Sequence, residues 1–344
     1  MPSSPTERPK NAPDNIVAIA RRLCGQDVVS AQACGGGGNN RVYRIQTREE
    51  TFALKFYGSA DLDDRDRLGH EFDALRFLKD RGIGNALPRA FAVDRAARCA
   101  LYEWIEGTAP SGRSLAEIGE ILELLAMIHE TRNAKGASEL PPATEAVLRL
   151  SDLLEQIEGR LARLATATPS EPELASFLRD DLRPELDRRV AALFSWDLNA
   201  SLPQAQRTLS PSDFGFHNAL RGPAGSLVFI DFEYFGWDDP AKLSADFLWH
   251  PAMDLSFLER AEFLSGVTRL YGDDPNFSKR FAVSYPLYGI RWVLIILNEF
   301  LPKLWTRRVF SGGGGDWDAA KREQLAKARA KLAALRLYTE GQFS

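Results

Sequence analysis

Residues 209–232 read LSPSDFGFHNALRGPAGSLVFIDF. Asp213 is followed five residues on by Asn218, then by a turn rich in Gly and Pro, an apolar run and Asp231. Two carboxylates and an amide in this order suit one chemistry. Phosphoryl transfer from ATP needs a carboxylate to orient or accept the proton of an attacking hydroxyl, and two oxygen ligands to hold Mg2+ against the phosphates. Asp213 takes the first role in this reading, Asn218 and Asp231 the second. One aspartate in a loop is more often a cap or an ion-pair partner than a catalyst. The set gains weight only if the elements that must position a nucleotide lie upstream in the right order.

They do. Residues 33–47 read ACGGGGNNRVYRIQT. Gly35, Gly36, Gly37 and Gly38 precede Asn39 and Asn40 and then an alternating strand, Val42 to Ile45. Glycines between strands let backbone N–H groups approach phosphate oxygens with no Cβ in the way, although a plain hairpin turn has the same composition. No Lys-Ser or Lys-Thr follows, so this is not a P-loop, and a strand rather than a helix follows, which disfavours a dinucleotide fingerprint. In the next strand, Thr51 to Tyr57, Phe52, Leu54 and Phe56 share one face and Ala53, Lys55 and Tyr57 the other. A lysine so flanked needs an anionic partner, and Glu71, in the helical run HEFDALRFLKDRG, is placed to supply it. Strands are expected at Ala90 to Asp94 and Cys99 to Ile105. The second runs through Glu103 and Ile105, where backbone groups would meet adenine.

Downstream, the pattern is helical. Helices are expected at Leu115 to Glu130, capped by Ser114, then at Thr144 to Leu164 and Pro172 to Phe194. Others follow around Leu243 to Trp249 and at Ser256 to Tyr271, Asn276 to Leu301 and Trp317 to Thr339. On Leu115 to Glu130 the expected stripe is Leu122, Leu125, Ala126 and His129, with His129 a hydrogen-bonded core histidine.

Composition narrows the class. The 344 residues suffice for two domains; 44% are apolar and 26% charged, as in ordinary globular proteins. A net charge of −4 gives no reason to expect nucleic acid or a membrane as partner. Cys24, Cys34 and Cys99 form neither a zinc pattern nor a disulfide framework, which points to a reducing cytoplasm. Residues 1–13 are polar and Pro-rich and read as a flexible tail. The apolar run from Trp292 to Leu297 is too short to span a bilayer and reads as part of a buried helix.

The motifs GGGGNNRVYRI, YEWIEG, MIH and SDFGFHN…VFIDFEYFGWDDPAKLSADF, over about residues 33–250, resemble the aminoglycoside phosphotransferase and choline kinase superfamily. The resemblance implies an α+β, two-lobed protein-kinase-like fold. Residues 14–106 would form a small N-lobe with an antiparallel sheet and a helix, and 107–344 a larger helical C-lobe. It implies ATP as phosphate donor, with GTP an alternative, and Mg2+. The acceptor would be a small-molecule hydroxyl of aminoglycoside, amino alcohol or sugar type. Asp213-Phe214-Gly215 spells the metal-binding motif of protein kinases, but no asparagine lies five residues after Asp181, Asp187 or Asp197. Asp213 therefore takes the catalytic position, and Asp231-Phe232-Glu233 the metal one. Glu233, Trp237 and Asp238 are candidates for holding the acceptor. One departure stands out: Pro211 occupies the place where the family carries a histidine, two residues before the catalytic aspartate. It motivates a second reading, a nucleotide-binding regulator with little catalysis. A protein kinase is disfavoured by the lack of an A-P-E motif after Asp231.

Overall fold

The structure, a computed structural model, describes residues 14–34, 40–58, 65–110, 114–310 and 315–337. The glycine run Gly35 to Gly38, Asn39 and the 1–13 segment lie outside them.

Five strands form one antiparallel sheet in the order β1 (Val28–Cys34), β2 (Arg41–Thr47), β3 (Thr51–Phe56), β5 (Cys99–Glu103) and β4 (Ala90–Asp94). The alternation in β3 sorts its side chains as the sequence predicts. Phe52 and Leu54 join Ile45 and Leu101 beneath α1 (Asp14–Cys24), through Ile16 and Ala20. Ala53 and Tyr57 turn to the other side, toward Leu68, Phe72 and Leu75 of α2 (Arg67–Lys79). Lys55 shares that side. Asp66 caps α2 by accepting from the Gly69 amide at 3.0 Å.

The remainder is mostly helical: α3 (Leu115–Glu130), α4 (Leu150–Ala165), α5 (Pro172–Ser176) and α6 (Arg183–Ala191) come before the site. After it come α7 (Pro240–Trp249), α8 (Phe257–Leu270), α9 (Phe277–Ile296), α10 (Pro302–Phe310) and α11 (Trp317–Arg336). Helix α9 packs against α4, α7 and α11. With the turn to Phe300 it is long and apolar enough to cross a bilayer, yet it lies mostly buried inside the fold. Four short strands carry the loops of interest. These are β6 (Thr208–Ser210), paired with β9 (Gly236–Asp238), and β7 (Ala219–Arg221), paired with β8 (Leu227–Phe229).

The departures from expectation have local causes. Helix α4 starts at Leu150, not Thr144, because Ala143 and Thr144 donate their amides to the carbonyls of Trp237 and Tyr234 and Glu145 adopts φ +55°. The run from Pro172 is broken by a π-turn over Phe177–Leu182, where Pro184 has no N–H for a regular helical bond. A helix not expected from the sequence, α10, opens on Pro302, a position where proline's missing N–H costs nothing. The buried stripe of α3 is Ile118, Ile121, Leu125 and Ile128 with His129, while Leu122 and Ala126 sit at its edge.

Gly236 shows how tightly β9 is held: a Cβ there would lie 2.4 Å from the Pro141 carbonyl oxygen and 2.5 Å from the Ala143 nitrogen, both backbone. Gly236→Ala should therefore lower unfolding free energy by about 2–3 kcal/mol in urea titrations. A loss under about 0.5 kcal/mol would show that the 141–143 segment yields freely.

Candidate functional site

The hairpin β7–β8 brings Asn218 and Asp231 together. Ala219 faces Phe229, and one step further the Ile230 amide donates to the Asn218 carbonyl at 2.8 Å. Asn218 donates its amide nitrogen to the Asp213 carbonyl at 3.0 Å, so oxygen is the atom it can offer a cation. Ser212 and Asp231 both lie in the left-handed region, at φ +67° and +68°. Side chains with Cβ pay for that conformation, and the surroundings over-determine it at Ser212. Its amide donates to Ser210 Oγ at 3.1 Å, and its hydroxyl accepts from Lys242 Nζ at 3.3 Å. Lys242 is fully buried, 2.7 Å from Asp238 and 3.3 Å from Asp246. The loop that carries Pro211 is thus held by a buried lysine.

Lys55 lies at the meeting point of sheet and helical body. Its Nζ is 2.6 Å from Glu71 Oε2 on α2 and 2.6 Å from Asp231 Oδ1, with Glu233 at 3.9 Å. Tyr57 donates to the same Glu71 oxygen at 2.7 Å and meets the Tyr102 hydroxyl at 2.7 Å. Glu233 is bonded by Asn40 Nδ2 at 2.6 Å and by Arg67. Burial alone would lower the Lys55 ammonium, but Asp231, Glu71 and Glu233 hold it well above its usual value. Burial, with Asp231 and Glu233 close by, lifts Glu71 to about 7 against the pull of Lys55.

Oxygens of Glu71, Asp231 and Glu233 lie within 4.8 Å of one another. Lys55 and Arg67 face these three carboxylates. Asn40 adds a buried amide oxygen with no hydrogen-bond partner among the described residues. An all-oxygen set of carboxylates and an amide fits Mg2+ rather than a softer metal. Asp231 and Asn218 are the residues that would hold it.

Across the loop, the Asp213 side chain keeps 37% of its surface exposed. His217 Nε2 is 3.0 Å from its Oδ1 and His250 Nε2 3.7 Å, and the two imidazoles stack 4.0 Å apart at 6°. Burial works to raise the Asp213 pKa, but the bond from His217 and the charges nearby keep it below the usual carboxylate value. It is ionised at neutral pH, as a base must be. Burial, then His217, lowers His250 to about 4. Neither histidine stood out in the sequence. The available signal was scarcity, since two of the chain's four histidines flank one aspartate.

The other candidates are placed as follows. Glu103 is exposed at the end of β5 and accepts from the Arg89 amide at 3.1 Å. Ile105 is half-buried, and between them Trp104 keeps a buried Nε1 with no hydrogen-bond partner among the described residues. The proposed acceptor ligands each have an internal partner. Glu233 holds Asn40 and Arg67, Trp237 donates to the Ala137 carbonyl at 2.9 Å, and Asp238 pairs with Lys242 and the Val147 amide.

Residues 30–281 match the phosphotransferase enzyme family. The chain belongs to that family. Among solved structures this phosphotransferase resembles the choline kinase LicA of Streptococcus pneumoniae, at 19% identity and TM-score 0.57, over 93% of this chain and all of that one. It also resembles a spectinomycin phosphotransferase in complex with ADP and spectinomycin, at 14% and 0.61, over 92% of this chain and 97% of that one. A third likeness is to an ethanolamine kinase of Plasmodium vivax, at 16% and 0.55, over 88% and 84%. At such identities the likeness is one of fold. No curated protein matches the chain in sequence.

His129 anchors the phosphotransferase's β6 through Thr208 Oγ1 at 2.9 Å, and burial lowers its pKa to about 4 from 6.5. Between those values the unfolded chain takes up a proton that the folded one refuses, so this contribution to stability falls as pH drops through the window. In denaturant titrations from pH 7 to 4, the stability advantage of wild type over His129→Gln should shrink with falling pH. A constant difference would contradict the assignment.

Proposed function

We propose that the protein transfers the γ-phosphoryl group of ATP to a hydroxyl of a small molecule of the aminoglycoside, amino alcohol or sugar type. The observation that carries this reading is the chain of contacts from Lys55, paired with Glu71 and Asp231, across the Ile230–Asn218 backbone bond to Asp213, whose carbonyl Asn218 holds. Lys55 binds the α/β-phosphates from its pairing with Glu71. The Gly35 to Asn40 backbone covers them, and Glu103 to Ile105 meet the adenine. Asn218 and Asp231 bind Mg2+, which when bound neutralises phosphate charge. Asp213 orients the acceptor hydroxyl and takes its proton. Catalysis on this scheme is positioning plus charge neutralisation in a preformed site.

Membership of the phosphotransferase family supports the reading, as does likeness of fold to kinases whose structures hold ADP with spectinomycin or hygromycin B. The alternative, a binding-only regulator, rested on Pro211; the hold of Ser210 and Lys242 on the neighbouring Ser212 favours the catalytic reading.

Asp213→Asn should bind MgATP within about threefold of wild type by calorimetry and lose turnover by about 10²–10⁴-fold. The assay is ADP release in a screen of aminoglycosides, amino alcohols and sugars. Near-wild-type turnover in the variant would overturn the role given to Asp213.

A further inference from the structure

Asp213 offers two oxygens, and the structure treats them differently. Both imidazole nitrogens near the carboxylate approach Oδ1: His217 Nε2 at 3.0 Å and His250 Nε2 at 3.7 Å. The protons on these rings can be placed by bonding partners. A carboxylate only accepts, so His217 must present Nε2–H. The Ala252 amide donates to His250 Nδ1 at 3.1 Å, so that nitrogen is bare and the proton of the ring sits on Nε2. Two N–H groups therefore face one carboxylate oxygen.

The pair is held in place. The rings lie face to face at 4.0 Å. His250 meets the edge of Trp292 at 4.7 Å and 80°. Trp292 Nε1 donates to Asp246 at 2.8 Å, and Asp246 lies 3.3 Å from Lys242, which reaches Ser212. Asp246 thus links the tryptophan that meets His250 to the lysine that holds the loop immediately before Asp213.

We propose that His217 and His250 are positioning residues for the catalytic base. Stacked as a unit, they engage Oδ1 of Asp213 and leave Oδ2 as the oxygen that receives the acceptor proton. This rests on the phosphotransfer reading above. In the step they serve, the acceptor O–H bond breaks and its proton passes to Oδ2 while the acceptor oxygen bonds to the γ-phosphorus. The bond from that phosphorus to the β,γ-bridging oxygen breaks, and ADP leaves with the electron pair. The charge-assisted bond from His217 to Oδ1, with the His250 N–H facing the same oxygen at 3.7 Å, holds the carboxylate plane, and a base displaced by about 1 Å costs on the order of 100-fold in rate.

The test has a spectroscopic and a kinetic arm. Long-range 1H–15N spectra of the full-length protein should show protonated Nε2 in both rings at neutral pH, and both Nε2 signals should move in Asp213→Asn. His217→Ala should lower kcat about 30- to 100-fold with KM for MgATP within threefold. His217→Gln, whose amide can donate to Oδ1, should regain at least tenfold of that loss. His250→Phe, which keeps the stack without the N–H, should fall between wild type and His217→Ala. A bare Nε2 in either ring, signals indifferent to Asp213→Asn, or equal losses in His217→Ala and His217→Gln would overturn the proposal. Should the signals appear as expected while wild type turns over no acceptor, the pairing stands and the phosphotransfer reading falls.

Discussion

A lysine ammonium taken out of water must have its charge met by protein groups, and Lys55 is met from two sides. Glu71 reaches it from a helix packed under the sheet, and Asp231 from the end of a hairpin in the helical body. One cation thereby ties three separately folded pieces to a common point. Removing both partners would strand a buried charge at a cost of about 3–5 kcal/mol, so the relative placement of strand, helix and hairpin is fixed electrostatically as well as by packing. Glu233 extends the tie to Asn40, where the chain leaves the glycine run, and to Arg67 at the start of α2. Nucleotide phosphates entering this centre would exchange one set of anions for another around the same cation.

Behind the loops lies a second set of buried charges. Lys242 is shared by Asp238 and Asp246; Asp246 also meets Arg291, which meets Glu145, which meets Arg160. Such a lattice adds little net stability against an apolar equivalent. Its value lies in geometry, since each member has defined partners. It holds Ser212 in a left-handed conformation and presents Trp292 to His250. Gly215 serves the same loop from below: at φ +152° it leaves the space that Met253 fills, where a Cβ would lie 2.5 Å from the methionine methyl.

What the sequence made legible follows the range of the interactions involved. Strand β3 and helix α2 show their periods locally, so Lys55 and Glu71 could be placed on a strand and a helix and read as a kinase-like pair. The order of Asp213, Asn218 and Asp231 was legible because a hairpin links them over few residues. His250 was not, because the fold alone brings it beside an aspartate 37 positions earlier. The partners of Glu233, Trp237 and Asp238 were hidden for the same reason. Acidic and aromatic residues in a loop look available until Arg67, the Ala137 carbonyl and Lys242 are seen to occupy them. Helix expectations failed where a distant segment took the amides, as at Ala143 and Thr144, or where a proline opened a helix that the sequence pattern did not suggest, as at Pro302.

The account stands or falls on Asp231 joining a cation to the nucleotide at Lys55. Calorimetric titration of ATP into wild type and Asp231→Asn, with and without Mg2+, addresses this without knowledge of the acceptor. Wild type should bind ATP at least tenfold more tightly with Mg2+ than without, and the variant should lose most of that difference while still binding the nucleotide, a change of about 1.4 kcal/mol or more. A variant that keeps the full Mg2+ dependence of wild type would contradict the placement of the metal at Asp231, and with it the roles drawn for the residues around it.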